Sequence, residues 1–466
     1  MKLHVLGACG TFMAGVAYIA RQLGHEVIGV DQNVYPPMSD FLRAQGITLL
    51  SGYENYKTLS APDLVIVGNA MSRGNPAIEH LLDQRWKYIS GPQWLYENVL
   101  CHKKVLAVSG THGKTTTSSM LAWILQYAGL SPSFLIGGIP QNFNTSACVN
   151  DSPYFVIEAD EYDSAFFDKR SKFLHYHPET LIINNIEFDH ADIFSSLEDI
   201  KKQFHYLLRT VPCAGTVIYP HNDKVLTDLF AMGLWSQSES FGLDQDAKWT
   251  PEVFHSLGDS LEKMLPLLGK HNRSNALAAI AAAHSVGVEV SVAVHALTQF
   301  QGVKRRLEKI AEVKSVMIFE DFAHHPTAIE TTLDGLRKHR PEGRLIALLE
   351  LASYTMKAGV HKTSLIPALK LADEVHILQT AVPHEFDVPK DRKNLFYPVS
   401  VEEMIAKVCS NIQVNDTVLI MSNRDFGDIY TKLPERLLRL RMNKHTMQVT
   451  KESKPQDECF DGQQRD

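Results

Sequence analysis

Short, mostly apolar runs recur along this chain, and most of them end abruptly in glycine, asparagine or an acid. Residues 3–6, 26–30, 63–67, 104–108, 154–157, 180–183, 316–319, 344–351, 374–378 and 417–421 are too short for helices and do not alternate with polar positions. That pattern predicts strands buried on both faces. The stretches between them carry helical spacing, for example residues 11–23, 118–125 and the alanine-rich 272–285. Strands alternating with helices predict an α/β chain whose mainly parallel sheets are flanked by helices. In such sheets chemistry collects beyond the carboxyl ends of the strands, so the residues closing each run are the first candidates for a site.

With 466 residues the chain is too long for one ordinary core. The pattern divides it into units at 1–100, 101–301 and 302–443, with a polar tail at 444–466. The net charge of −7 and the lack of a basic stripe argue against nucleic acid as a partner. No apolar run approaches the roughly 18–20 residues that span a bilayer. Met1-Lys2-Leu3-His4-Val5-Leu6-Gly7 enters a strand at once and does not read as a signal peptide. The cysteines (Cys9, Cys101, Cys148, Cys213, Cys409, Cys459) are scattered, which suits a reducing cytoplasm and neither a disulfide frame nor a zinc site.

One junction carries the most specific chemistry. Gly110-Thr111-His112-Gly113-Lys114-Thr115-Thr116-Thr117 lies between a buried strand and a helix. Backbone N–H groups of such a turn face inward, and the helix N-terminus adds positive potential, so the turn cradles phosphate. Lys114 reaches the outer phosphates and the Thr115 hydroxyl takes Mg²⁺. The loop is a shortened variant, since Val108 stands where the usual pattern has glycine. The run at 154–157 ends in Glu158-Ala159-Asp160-Glu161, where a phosphate-loop enzyme holds its second metal contact. Glu161 and Asp163 read as solvated. The run at 180–183 leads to Asn184-Asn185-Ile186-Glu187-Phe188-Asp189-His190, which points to metal or phosphate contact at His190. Asn272 reads as a helix N-cap among solvated neighbours.

The first unit opens with a second glycine turn, Gly7-Ala8-Cys9-Gly10-Thr11, and Asp31 closes its second strand. The βαβ pattern suggests a dinucleotide, although the glycines do not follow G-x-G-x-x-G. Gly68-Asn69-Ala70 ends another strand of the same unit. In the third unit, polar residues again collect at strand ends: Asp321-Phe322-Ala323-His324-His325-Pro326, Ser353-Tyr354-Thr355-Met356-Lys357 and Ser422-Asn423-Arg424-Asp425.

Taken together and in this order, the phosphate loop, Glu158-Ala159-Asp160-Glu161, Asn185-Ile186-Glu187-Phe188-Asp189-His190, His271-Asn272-x-x-Asn275, Arg306 and Asp321 to Pro326 resemble the Mur ligase family. That resemblance runs from the first glycine turn to about residue 440. It implies three domains, for a UDP-sugar, for ATP in a central phosphate-loop ATPase domain, and for an amino substrate. ATP and Mg²⁺ are implied with them, and the first turn becomes a UDP site. Carried over by position, Thr115, Glu158 and His190 are the metal contacts, and Lys114, Glu158, His190 and His324 serve catalysis. Gly110, Thr111, His112, Gly113, Lys114, Thr115, Thr116, Asn272, Asn275, Arg306 and Asp321 bind ATP. Gly7, Gly10, Thr11, Asp31, Asn69 and His112 bind the UDP-sugar. His325, Tyr354, Lys357 and Arg424 meet the peptide. Arg306 and Asp321 are expected to reach the nucleotide from the third domain when it closes. Some members carry a carbamylated lysine after the Asp-His motif; Phe204 takes that place here, with Lys201 and Lys202 out of register, so no such group is expected.

The N-terminal turn and the His-His-Pro motif resemble the branch that acts on UDP-N-acetylmuramate. Within that branch, Gly10-Thr11-Phe12-Met13, Val34-Tyr35-Pro36-Pro37-Met38-Ser39 and Glu187 to Phe194 resemble members that join it to L-alanyl-γ-D-glutamyl-meso-diaminopimelate. The expected chemistry is ATP-dependent amide-bond formation through an acyl phosphate, by a cytoplasmic monomer in peptidoglycan recycling. Three readings compete: ligation of free L-alanine, a folate-polyglutamate ligase, and a nucleotide-gated switch without ligation.

Overall fold

The computed structural model describes residues 1–34, 38–189, 191, 193–244, 246–255, 265–313, 315–379 and 394–439. Two compact units result, Met1–Arg306 and Leu307–Asp466.

The first unit holds two main sheets. In the first, the strands run in the order Thr48–Ser51, Glu26–Asp31, Lys2–Leu6, Leu64–Val67, Tyr88–Ser90, all parallel. Leu3, Val5 and Leu6 of the central strand are fully buried, which is why that run is apolar rather than alternating. The helix Thr11–Gln22 follows the glycine turn and buries Met13, Ala14, Val16, Ala17, Ile19 and Ala20.

The second sheet places the phosphate-loop strand Lys104–Ser109 between Thr180–Ile183 and Tyr154–Glu158, both parallel to it. Thr216–Pro220 and Gln237–Phe241 extend one side; Ser133–Leu135 and then the antiparallel Ala147–Cys148 extend the other. The helix Lys114–Tyr127 leaves the loop and packs against the helix Lys270–Ser285. The latter buries an unbroken Ala276–Ala283 stretch, and side chains this small let helices approach closely.

A small antiparallel hairpin, Asp163–Ala165 with Asp168–Ser171, leads into a single 3₁₀ turn, Lys172–His175. Phe167 of the hairpin meets Tyr88 edge-on at 4.9 Å between ring centres. One apolar core is shared by the two sheets, running from Leu3 and Val5 to Val105 and Ile157.

The second unit is a six-stranded sheet in the order Glu308–Val313, Val316–Asp321, Thr417–Met421, Leu345–Glu350, Glu374–Leu378, Leu395–Phe396. Only the first pair is antiparallel. The α/β class expected from the pattern is the one observed. The strands that the pattern did not mark are short, edge or hairpin strands such as Ala147–Cys148 and Asp168–Ser171, whose residues are too few or too polar to show a buried run. Among the described residues, no helix is long and apolar enough to cross a membrane.

Candidate active site

The phosphate loop is held from below by the two asparagines that end the neighbouring strand. The Asn185 carbonyl accepts the Thr111 N–H at 3.2 Å, and its side-chain oxygen accepts the His112 N–H at 2.8 Å. Asn184 donates to the His112 carbonyl (3.3 Å) and to the Thr117 hydroxyl (3.0 Å). Gly110 and Gly113 both have positive φ, +125° and +83°. A Cβ at Gly113 would stand 2.7 Å from the Asn275 side-chain oxygen and 2.8 Å from the Asn184 nitrogen, so no side chain fits there. Asn272 and Asn275 are buried inside the helix Lys270–Ser285, whose N-cap is Gly269; the N-cap reading of Asn272 is therefore corrected. Asn275 donates to Asn272, and Asn272 donates to the Leu268 carbonyl at 2.7 Å, which fixes Asn275 beside the loop.

Lys114 is buried, with its ammonium 2.7 Å from the Gly110 carbonyl, 3.3 Å from Glu161 and 3.4 Å from Asp160. Burial alone would lower its pKa, but Glu161, Asp160 and Glu158 outweigh that and hold it above the ordinary lysine range. Glu161, expected to be solvated, is only 2 % exposed. Its partner lies 47 residues earlier in the chain, which composition around Glu161 cannot reveal.

The Thr115 hydroxyl donates to Glu158 at 3.0 Å and accepts from the Arg306 guanidinium at 3.1 Å. The other Glu158 oxygen accepts the Gly137 N–H at 2.7 Å. Burial, then the like charge of Asp160, push the Glu158 carboxyl above the usual range, against Lys114, the Gly137 N–H and Arg306. Arg306, expected to reach the nucleotide from the third domain, is the last residue of the unit Met1–Arg306 and touches Thr115. His112 lies 3.6 Å from Glu187. Thr116 is buried in the first turn of the helix. His190 lies outside the described residues.

The first glycine turn is built differently. Gly7 has φ +76° and donates to the Val30 carbonyl, and Gly10 caps the helix that Thr11 opens. Asp31 accepts the Cys9 N–H at 2.8 Å, so one of its oxygens braces the turn. Gly68, next to Asn69, donates to Leu6, which brings Asn69 to the same edge of the sheet as Gly7 and Asp31.

In the second unit, register aligns Asp321 with Met421, Leu349 with Met421 and Glu350 with Leu378, so the expected peptide-side residues follow neighbouring strand ends. Asp321 accepts the Leu307 and Ala323 N–H groups, each at 2.7 Å, holding the strand-end loop that carries His324 and His325. His324 Nδ1 lies 3.0 Å from the Phe322 carbonyl. His325 is buried, caps the helix Pro326–His339 and meets the His361 ring at 4.5 Å. Ser353 caps the short helix Tyr354–Lys357, leaving Tyr354 exposed over buried Thr355 and Met356. Ser422 donates to Glu350, and its hydroxyl accepts the Arg424 N–H at 2.9 Å, which ties those two strand ends together.

Three family profiles match the chain: the Mur ligase family catalytic domain at residues 2–100, the Mur ligase middle domain at 108–283, and the Mur ligase glutamate ligase domain at 305–424. The UDP-N-acetylmuramate–L-alanyl-γ-D-glutamyl-meso-2,6-diaminoheptandioate ligase of Haemophilus influenzae is 48 % identical over 93 % of this chain and 99 % of its own. That of Escherichia coli is 49 % identical over 94 % and 98 %. The chain belongs to the Mur ligase family. A crystal structure of a murein peptide ligase from Psychrobacter arcticus matches with a TM-score of 0.70 at 41 % identity, covering 94 % of this chain and 99 % of that one. This Mur ligase is accordingly a three-domain α/β enzyme that forms an amide bond at the expense of ATP.

Several residues of the Mur ligase site were not read as such from sequence. Asn184 and Asn185 were visible as a polar pair ending a buried run. Gly137 and Gly138 stood in a turn-rich stretch, and a Cβ at Gly138 would lie 2.8 Å from the Thr115 methyl. Asp160 and Glu161 stood within the Glu158-Ala159-Asp160-Glu161 motif, but their pairing with Lys114 was not read.

Proposed function

We propose that this Mur ligase joins the lactyl carboxylate of UDP-N-acetylmuramate to the free amine of L-alanyl-γ-D-glutamyl-meso-diaminopimelate, in peptidoglycan recycling, as a cytoplasmic monomer. The observation that carries the reading is near-half identity, over almost the whole length, to two ligases of that name. The wall expected to meet the amine substrate agrees with it. Tyr354, Thr355 and Met356 give that wall little charge, and no arginine occurs between Arg344 and Arg392, whereas a small free amino acid needs a tight carboxylate clamp. Ligation of free L-alanine is the weaker reading on both counts.

A carboxylate does not react with an amine at neutral pH because its leaving group would be oxide. Attack of the lactyl carboxylate on the γ-phosphorus of ATP gives an acyl phosphate and ADP. The peptide amine then attacks the carbonyl, and phosphate departs from the tetrahedral intermediate. Both steps gather negative charge. That charge is assigned to Lys114 and the N-terminus of its helix, and fixed charges of this kind need no reorganisation as the reaction proceeds. Asn272 and Asn275 are assigned to the nucleotide's base side, Gly7, Gly10, Thr11 and Asn69 to the UDP-sugar, and His325, Lys357 and Arg424 to the peptide. The amine's proton is assigned to His324: an Nδ1–H donated to the Phe322 carbonyl makes Nε2 the basic nitrogen.

The residues fit Mg²⁺. Thr115 and Glu158 present hard oxygen donors side by side, and a carboxylate held above its usual range by burial and by Asp160 is relieved by a divalent cation. Bound there, with His190 completing the set, the ion would neutralise phosphate charge. Product mass after incubation with ATP, UDP-N-acetylmuramate and equal tripeptide and L-alanine tests the reading. The expected product carries the tripeptide; predominant incorporation of L-alanine would replace the substrate assignment and leave the ligase standing.

A further inference from the structure

Lys172 is 6 % exposed, opens the 3₁₀ turn after the hairpin, and has no role in the site as described. Its ammonium lies 5.0 Å from the centre of the Phe12 ring and 5.5 Å from that of Tyr162. Among the described residues it makes neither a hydrogen bond nor an ion pair through that ammonium. The acids that feel it are Asp160, Asp163 and Glu161, but their ion pairs are with other lysines: Asp160 and Glu161 share Lys114, and Asp163 pairs with Lys169. Burial holds Lys172 below the ordinary lysine range, and those acids only partly oppose this. A buried ammonium held by two rings, with no anion in hydrogen-bonding contact, has donors free for an anionic ligand.

Its position indicates what does. Phe12 stands in the first turn of the helix that follows the Gly7–Gly10 turn, so the ammonium is held against a side chain of the helix turn assigned to the UDP-sugar. Lys114 on the phosphate loop lies within electrostatic reach. Tyr176, one turn on from Lys172, also buries a hydroxyl that has no hydrogen-bond partner among the described residues.

We propose that Lys172 binds an anionic group of the acid substrate, the diphosphate or the lactyl carboxylate of UDP-N-acetylmuramate, between the first glycine turn and the phosphate loop. This rests on the function proposed above. A charge-assisted contact of this kind is formed only when the sugar nucleotide arrives, so Lys172 contributes to affinity for that substrate and not to nucleotide binding at the phosphate loop.

The test is calorimetric titration of the full chain and of Lys172→Met and Lys172→Arg with UDP-N-acetylmuramate, UDP and ADP, together with melting of the ligand-free proteins. Lys172→Met should bind UDP-N-acetylmuramate roughly 10- to 100-fold more weakly, with Lys172→Arg recovering most of the loss and ADP binding unchanged. An equal loss for UDP identifies the diphosphate as the partner; a loss confined to UDP-N-acetylmuramate identifies the carboxylate. The ligand-free melts check that both variants are folded before their affinities are compared. Unchanged UDP-N-acetylmuramate affinity in Lys172→Met, or a parallel fall in ADP affinity, would overturn the assignment. If the wild type itself fails to bind UDP-N-acetylmuramate, the proposed function falls as well.

Discussion

The molecule contains two strand–glycine turn–helix junctions that look alike on paper and are built for different work. At Gly7–Gly10 the turn is braced by one carboxylate, Asp31, and a Cβ at Gly10 would find nothing nearer than the Gly7 carbonyl at 3.7 Å. At Gly110–Gly113 the turn sits in a cage of Asn184, Asn185 and Asn275, and a Cβ at either glycine would meet that cage at 3.0 Å or less. The first turn holds no charged side chain of its own; the second carries a buried lysine between two acids. An open turn offers backbone N–H groups and helix potential but no charge of its own, whereas a caged turn holds a fixed charge within the loop. On the function proposed above, the difference would separate a site that recognises from one that stabilises a transition state.

The sharpest way to break that contrast is Lys114→Ala. If the caged turn does the electrostatic work, turnover should fall by about a thousandfold or more. The folded state should also lose about 3 kcal/mol, because Glu161 is left buried without its cation. Near-normal turnover in steady-state assays would remove the distinction between the turns.

Next in size is Gly113→Ala. The residue has φ +83° and stands against Asn275 and Asn184, so the change should destabilise by about 1–3 kcal/mol and weaken nucleotide binding, read by denaturant melts and ADP titration. Gly10→Ala at the open turn is the control. Gly10 has φ −69°, which any residue adopts, and the loss should stay within about 1 kcal/mol.

Glu158→Gln sharpens the comparison through pH. The folded-state pKa of Glu158 lies above its unfolded value, so the native state takes up the proton first as pH falls. The ionised acid therefore destabilises the metal-free protein above that raised pKa, and the effect fades as pH falls toward the ordinary glutamate range. Metal-free Glu158→Gln should melt above wild type at neutral pH, with the gap closing on acidification. Adding Mg²⁺ and nucleotide should raise the wild-type midpoint more than the variant's. A gap that is absent, or that widens on acidification, would contradict the assigned environment of Glu158.

What the sequence could and could not announce follows from the same two turns. Buried strands show as apolar runs because both their faces are covered, and 180–183, 374–378 and 417–421 match the observed Thr180–Ile183, Glu374–Leu378 and Thr417–Met421. The phosphate loop is legible because its chemistry is contiguous. The cage and the charge pairs are not, because they join residues far apart in the chain. Arg306 lies 191 residues from Thr115, and nothing local to either predicts the contact. Lys172 escaped notice for a related reason: a lone lysine beside Lys169 and Arg170 reads as part of a solvated basic stretch, and only burial distinguishes it.

The most direct test of the central claim is the fate of oxygen. UDP-N-acetylmuramate labelled with ¹⁸O in both lactyl carboxylate oxygens, incubated with enzyme, ATP, Mg²⁺ and the tripeptide, should yield phosphate carrying one label and an amide product keeping the other, in equal amounts. Unlabelled phosphate, or phosphate released without a new amide, would contradict ligation through an acyl phosphate.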